Sequence, residues 1–308
     1  MRRGRAGEPV DAGGCPYCQT PAPRGCGQVI GPDRPGYASA VPILALKLVL
    51  APFLIGGASL AARRWGPAVG GWLVGLPLTS GPVALFVAIE QGIPFAIDVG
   101  LAVVAGGFAL CAFSIVYARA AATRLGPFAA LAVASVTYVL SAMLLGALEL
   151  PGMPLLMAAV GLTLVATLRL LPAPSGAHAL ARPPRWDLPA RILVGTTLIV
   201  ALTTVAPSLG PRASGLISTY PVYVTTLTFF AHRQGGPSSV AAMLRGLTFG
   251  LFGWLAFWTA LLAVLPIGGV AAGFIGAIAA ALIIQGASFR VLGSSSVAAI
   301  GEVGEVVP

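Results

Sequence analysis

Acidic residues are scarce in this chain: nine Asp and Glu in 308 residues, against eighteen Lys and Arg and only two histidines. So few titratable groups leave little material for acid–base chemistry. No Ser-His-Asp set, no His/Asp/Glu cluster at metal-ligand spacing, no paired carboxylates inside an apolar run and no phosphate-cradling glycine loop can be assembled. Cysteine is equally sparse. Cys15, Cys18 and Cys26 fall in the first forty residues and Cys111 stands alone in an apolar run, which excludes a disulfide framework. The CPYC at 15–18 has the spacing of a redox motif but lacks the βαβ scaffold and helix N-terminus that lower a thiol pKa. Three cysteines without a neighbouring histidine also fall one ligand short of a closed zinc site. The expectation is a protein with no metal and no cofactor, and not an enzyme.

What the chain has in abundance is apolar sequence: 57% of its residues are hydrophobic and its mean hydropathy is +0.92. Runs of about 20 apolar residues, enough to cross a ~30 Å hydrocarbon core, recur from Val41 onward at 41–62, 68–89, 95–118, 127–148, 152–171, 190–207, 212–231, 239–265 and 267–289. The reading is an all-α integral membrane protein of about nine transmembrane helices, with no room for a separate soluble domain. Residues 1–40, rich in Gly, Pro and Arg, have no apolar period and read as a disordered tail. Val41 is clean enough a beginning to suggest an alternative start.

The net charge of +9 sits in short connectors, not on one amphipathic face, so it points to a bilayer and not to nucleic acid. Connectors alternate: Arg63 and Arg64, then Glu90, then Arg119 and Arg124, then Glu149, then Arg169, Arg182, Arg185 and Arg191. Placing the arginine-rich side in the cytoplasm of a bacterial inner membrane puts the N-terminus outside and the C-terminus inside. Trp65, Trp72 and Trp186 fall near span ends, where interfacial rings sit. His178 and His232 fall in connectors and read as solvated.

The sequence also repeats. GPAVGGWLVGLPLTSGPVALFVAIEQG from Gly66 matches GPRASGLISTYPVYVTTLTFFAHRQGG from Gly210 at an offset of 144, aligning Gly66 with Gly210, Pro77 with Pro221 and Phe86 with Phe230. After a one-residue slip Gln91 and Gly92 match Gln234 and Gly235; Lys47 aligns with Arg191, and Phe113 with Phe257. Five spans separate the two copies, an odd number, so the second enters the membrane upside down. The expected organisation is a first membrane repeat at 41–148, a linker helix and cytoplasmic loop at 149–189, a second repeat at 190–290 and a C-terminal tail at 291–308. Each repeat has about four helices, and the second helix of each is broken by Pro and Gly.

Those breaks supply the candidate site. A proline inside a helix frees backbone groups that hydrocarbon cannot satisfy, and paired interrupted spans in two halves are the sequence mark of a transport site. The substrate-binding candidates are Pro77, Thr79, Ser80, Gly81 and Pro82 in the first copy. In the second they are Ser218, Thr219, Tyr220, Pro221, Tyr223 and Thr225. Glu90 and Asp98 are candidates for an ion or proton site. Lys47 and Arg191, about two turns inside their spans and equivalent in the repeat, are candidates for an anion-related role; Arg245 reads as a snorkelling arginine.

The chain resembles a poorly characterised group of bacterial multi-pass membrane proteins with paired G-P…G…L-P segments, here at Gly66–Pro82 and Gly210–Pro221. That resemblance implies the membrane class and no substrate, catalytic residue or cofactor. The functional expectation is a secondary transporter, permease or exporter, for a small polar or anionic solute. A non-transporting scaffold or assembly factor is the alternative, and a membrane-embedded enzyme stands below both. Its expected partners are the lipid bilayer, the solute and a second copy of the chain, with no nucleic acid.

Overall fold

The structure, a computed structural model, describes residues 40–123, 125–148, 152–174, 186–205 and 220–304. Among these the chain is helical throughout, without a strand. In order come α1 (Ala40–Trp65), α2 (Pro67–Val74), α3 (Ser80–Glu90), α4 (Ile93–Ala122), α5 (Pro127–Ala147), α6 (Met153–Leu170), α7 (Asp187–Val205) and α8 (Val222–Gly304). Non-helical backbone at Gly236 and Gly269 divides α8 into three segments, 222–235, 237–268 and 270–304. The terminal tail with its cysteines, the second-copy residues Ser218 and Thr219, and His178 lie outside the described residues.

Glycine followed by proline punctuates the chain. Gly66, Gly92, Gly126 and Gly152 precede α2, α4, α5 and α6, each with a proline at the first or second helical position. There the ring's fixed φ suits a first turn whose N–H would be unpaired anyway. At Gly92 (φ 88°), in the two-residue link between α3 and α4, and at Gly236 (φ 64°), between the first two segments of α8, the chain passes through backbone that only glycine adopts cheaply.

Among the described residues, four helices are long and apolar enough to cross a membrane: α4, α5, α6 and α8 as far as Val291. In α4, 44% of the most apolar window is buried, against 17% in α5, so α4 is central and α5 peripheral. The outer face of α5 presents Phe128, Leu140 and Leu144, an apolar surface suited to lipid and costly in water. Hydroxyls inside the apolar helices bond the carbonyl four residues back, as Thr163 does to Ala159, Thr248 to Leu244 and Thr259 to Leu255. These three hydroxyls are thereby satisfied within their own helices.

The core has two layers along α4. One gathers Phe113, Tyr117, Leu244 and Leu247; the other gathers Val104, Leu156, Phe257, Trp258 and Leu261. The tightest packing is between α2 and segment 237–268. A Cβ added at Gly71 would lie 2.0 Å from the Met243 carbonyl oxygen, and one at Gly246 would lie 1.9 Å from that of Ala68. Gly75 and Gly250 meet the same way. Each helix thus contributes a pair of glycines four apart, which lets two backbones touch where lipid gives no hydrophobic drive to association.

Candidate functional site

The first interruption lies between α2 and α3. Leu76 N–H falls back to the Leu73 carbonyl at 3.2 Å, a tightened turn, and regular bonding resumes where Gly81 N–H reaches the Pro77 carbonyl at 2.9 Å. The carbonyl of Trp72, which Leu76 would otherwise have used, instead accepts from the side-chain amide of Gln285 at 3.2 Å. Trp72 Nε1 donates to Ser288 Oγ at 3.1 Å, and its ring stacks on Phe289. Trp72 is therefore packed against the last segment of α8 and is not an interfacial anchor. Trp65 and Trp186, in contrast, are exposed at helix ends.

The second-copy break is described from Tyr220 onward, at the start of segment 222–235. Val222 N–H closes a tight turn onto the Tyr220 carbonyl and Thr225 N–H bonds to the Pro221 carbonyl, both at 2.9 Å. Pro221 thus begins this half-helix just as Pro77 precedes α3.

The two interruptions border one cavity of about 150 Å³. Its wall is made by Phe53, Leu54, Gly57 and Ala58 of α1, by Leu73 and Val74 at the end of α2, by Leu76, Leu78 and Thr79 of the first interruption, and by Tyr223 at the start of segment 222–235. Thr79 and Tyr223 supply its polar side chains, and the remaining lining is apolar.

The structure separates the other candidates. Gly81 packs against Phe257, 3.4 Å from a Cβ placed there, with Ser80 and Pro82 beside it at the start of α3. Tyr220 turns to α5, where its hydroxyl lies 2.6 Å from Ser135 Oγ and its ring meets Tyr138 edge-on. Thr225 is buried, and its hydroxyl has no partner among the described residues. Glu90 and Asp98 are exposed, at the end of α3 and in the first turns of α4. Lys47 lies on α1, with its side chain outside the described residues. Among those residues, no three His, Cys, Asp or Glu side chains gather in a metal-holding group.

Arg191 enters a polar network that residue spacing along the chain does not announce. Its Nε donates to Asp187 Oδ2 at 2.9 Å, one helical turn away, and Arg63 Nη2 reaches the same oxygen at 2.8 Å. Arg191 Nη2 donates to Gln234 Oε1 at 2.7 Å, and the Gln234 amide donates to Asp187 Oδ1. The Phe230 ring lies under the Arg191 guanidinium at 5.0 Å. Asp187 is fully buried. The one signal for this pair in the sequence is the i,i+4 spacing of Asp187 and Arg191.

His232 is also displaced from expectation. It is buried beside Tyr117, its Nδ1 3.5 Å from the phenolic oxygen, because 222–235 continues the helix through the residues read as a connector. Arg245 donates to the carbonyls of Leu168 and Leu171, and Arg119 to that of Leu170, so two arginines cap the C-terminal end of α6.

No protein-family model, no curated protein and no solved structure matches this chain.

Proposed function

We propose that the protein is a secondary transporter whose solute site is the cavity between the two interrupted segments. The observation that carries this reading is that Thr79 and Tyr223, the polar residues of the cavity wall, stand 144 positions apart in the sequence. That is the offset at which the two halves of the chain align.

Further features support a duplicated architecture. Gly92 and Gly236, both at positive φ and both closing the turn after an interrupted segment, share that offset, and so do Pro77 and Pro221. The slip suggested by the letters at Gly235 is then unnecessary. The two half-helices also run in opposite senses along α4. α3 ends at the turn that begins α4, whereas 222–235 ends with His232 beside Tyr117, near the other end of α4. Inverted repeats meeting at a mid-membrane cavity are the plan by which one half rocks against the other and opens the site to each side in turn. Counting α2 with α3 as one crossing, and the chain through 235 as another, gives nine in this reading. Arg63, Arg119, Arg191 and Arg245 fall at one end of the bundle, taken as cytoplasmic in a bacterial inner membrane.

The lining narrows the solute class. A cavity of ~150 Å³ with apolar walls holds a molecule about the size of benzene, and two hydroxyls give it one polar handle. The solute in this reading is therefore a small amphiphile with a single hydrogen-bonding group, and not a multiply charged anion. The glycines of the α2 crossing are used within the chain, which removes them as a partner-docking stripe for a scaffold.

The test is a binding screen of small alcohols, phenols, amides and monocarboxylates by thermal shift on purified protein, followed by uptake of the hit into proteoliposomes. Gly57→Leu places a side chain into open space at the cavity wall. It should abolish binding and uptake while the protein stays folded, and Tyr223→Phe should weaken both. Unchanged uptake in Gly57→Leu would overturn the assignment.

A further inference from the structure

The Arg63, Asp187, Arg191 and Gln234 network is unbalanced in charge: two guanidiniums share one carboxylate, leaving a surplus of +1. Both oxygens of that carboxylate are engaged, Oδ2 by the two arginines and Oδ1 by the Gln234 amide. Arg191 is committed as well, through Asp187, Gln234 and the Phe230 ring. The surplus therefore resides on Arg63.

Arg63 has the geometry to use it. One nitrogen is held by Asp187, its Nε is buried with no partner among the described residues, and 27% of its side chain remains open at the end of α1. A guanidinium presents five donors in a planar fork that matches two oxygens of a phosphate or phosphonate-like group. A partly buried cation that shares its one carboxylate with a second guanidinium is under-compensated in the low dielectric of the bundle, so an anion arriving there gains more than at an open surface.

We propose that Arg63, pre-positioned by Asp187, is the binding residue for a singly charged phosphate-type oxyanion at this end of the bundle. The source is either the phosphodiester of an anionic lipid or a soluble phosphate. The site lies on α1 five residues beyond Ala58 of the cavity wall and is independent of the transport reading.

The experiment uses full-length protein in nanodiscs, with unfolding temperature as the readout. One arm compares neutral phosphatidylcholine discs with discs containing phosphatidylglycerol. The other titrates inorganic phosphate into neutral discs against chloride of equal ionic strength. A rise in the phosphatidylglycerol arm identifies lipid, and a rise with phosphate identifies a soluble ion. In either case Arg63→Gln should lose the rise. Arg63→Lys, which keeps the charge but not the fork, should weaken binding about tenfold. Arg64→Gln, the exposed neighbour against Trp65, should retain the rise in full. No anion-dependent rise in wild type, or equal loss in Arg63→Gln and Arg64→Gln, would overturn the proposal. If Arg63→Gln does not fold, Arg63→Lys binding as tightly as wild type would do the same.

Discussion

The side-chain amide of Gln285 donates to the backbone carbonyl of Trp72 across 213 positions of sequence. A helix end that lipid cannot hydrate is thereby closed by another helix. Gly253 makes room for this, since a Cβ there would lie 2.0 Å from Gln285 Oε1. Replacing Gln285 with methionine, similar in length, should leave the Trp72 carbonyl unpaired. The expected cost is about 1–3 kcal/mol, the penalty for a stranded buried acceptor. Chemical unfolding in mild detergent measures it, and Ser288→Ala should cost less, because it removes the acceptor of the half-buried indole N–H and a donor to the Gln285 carbonyl, which lies within a helix.

Glycine at the α2 crossing is required by contact. Gly246→Ala places a methyl 1.9 Å from the Ala68 carbonyl oxygen, so the two helices must separate. The expected loss is about 1–3 kcal/mol or more. Gly106→Ala and Gly146→Ala, where nothing lies within 4 Å, should be neutral or slightly stabilising, because alanine favours the helix. Thermal unfolding of the three variants side by side gives the comparison.

Asp187 holds three helices together at one end, joining Arg63 of α1 and Arg191 of α7 to Gln234 at the end of 222–235. Asp187→Asn should destabilise by about 2 kcal/mol or more, below the full cost of breaking a buried pair because Arg63 is partly solvated. Removing the surplus cation in the double variant Asp187→Asn/Arg63→Gln should recover part of that loss. A double-mutant cycle with no coupling would show that the two side chains act separately.

Membrane class was legible from the apolar runs, and the interruption between α2 and α3 from its prolines, because both signals are local in sequence. Arg191 could be singled out only by its repeat position and depth. Its partners Arg63 and Gln234 lie far away in the chain, and no periodicity brings them together. The role of Gln285 has no signal in the sequence, because its partner is a backbone carbonyl, which has no letter of its own. Tyr220 and Tyr223 looked equivalent as polar residues at a break. One points to Ser135 and the other lines the cavity, a difference set by their rotation about a half-helix whose start the letters do not fix. His232 reads as solvated because the apolar run ends at residue 231, whereas the helix continues to 235 and Gly236 is the residue with positive φ.

In the proposed architecture α3 and 222–235 traverse the membrane in opposite directions. Single cysteines replacing the exposed Glu90 and Arg233, in a background with Cys15, Cys18, Cys26 and Cys111 removed, test it directly with a membrane-impermeant maleimide on sealed, oriented vesicles. The account predicts that Glu90→Cys is labelled from one side and Arg233→Cys only from the other. Labelling of both from the same side would contradict it.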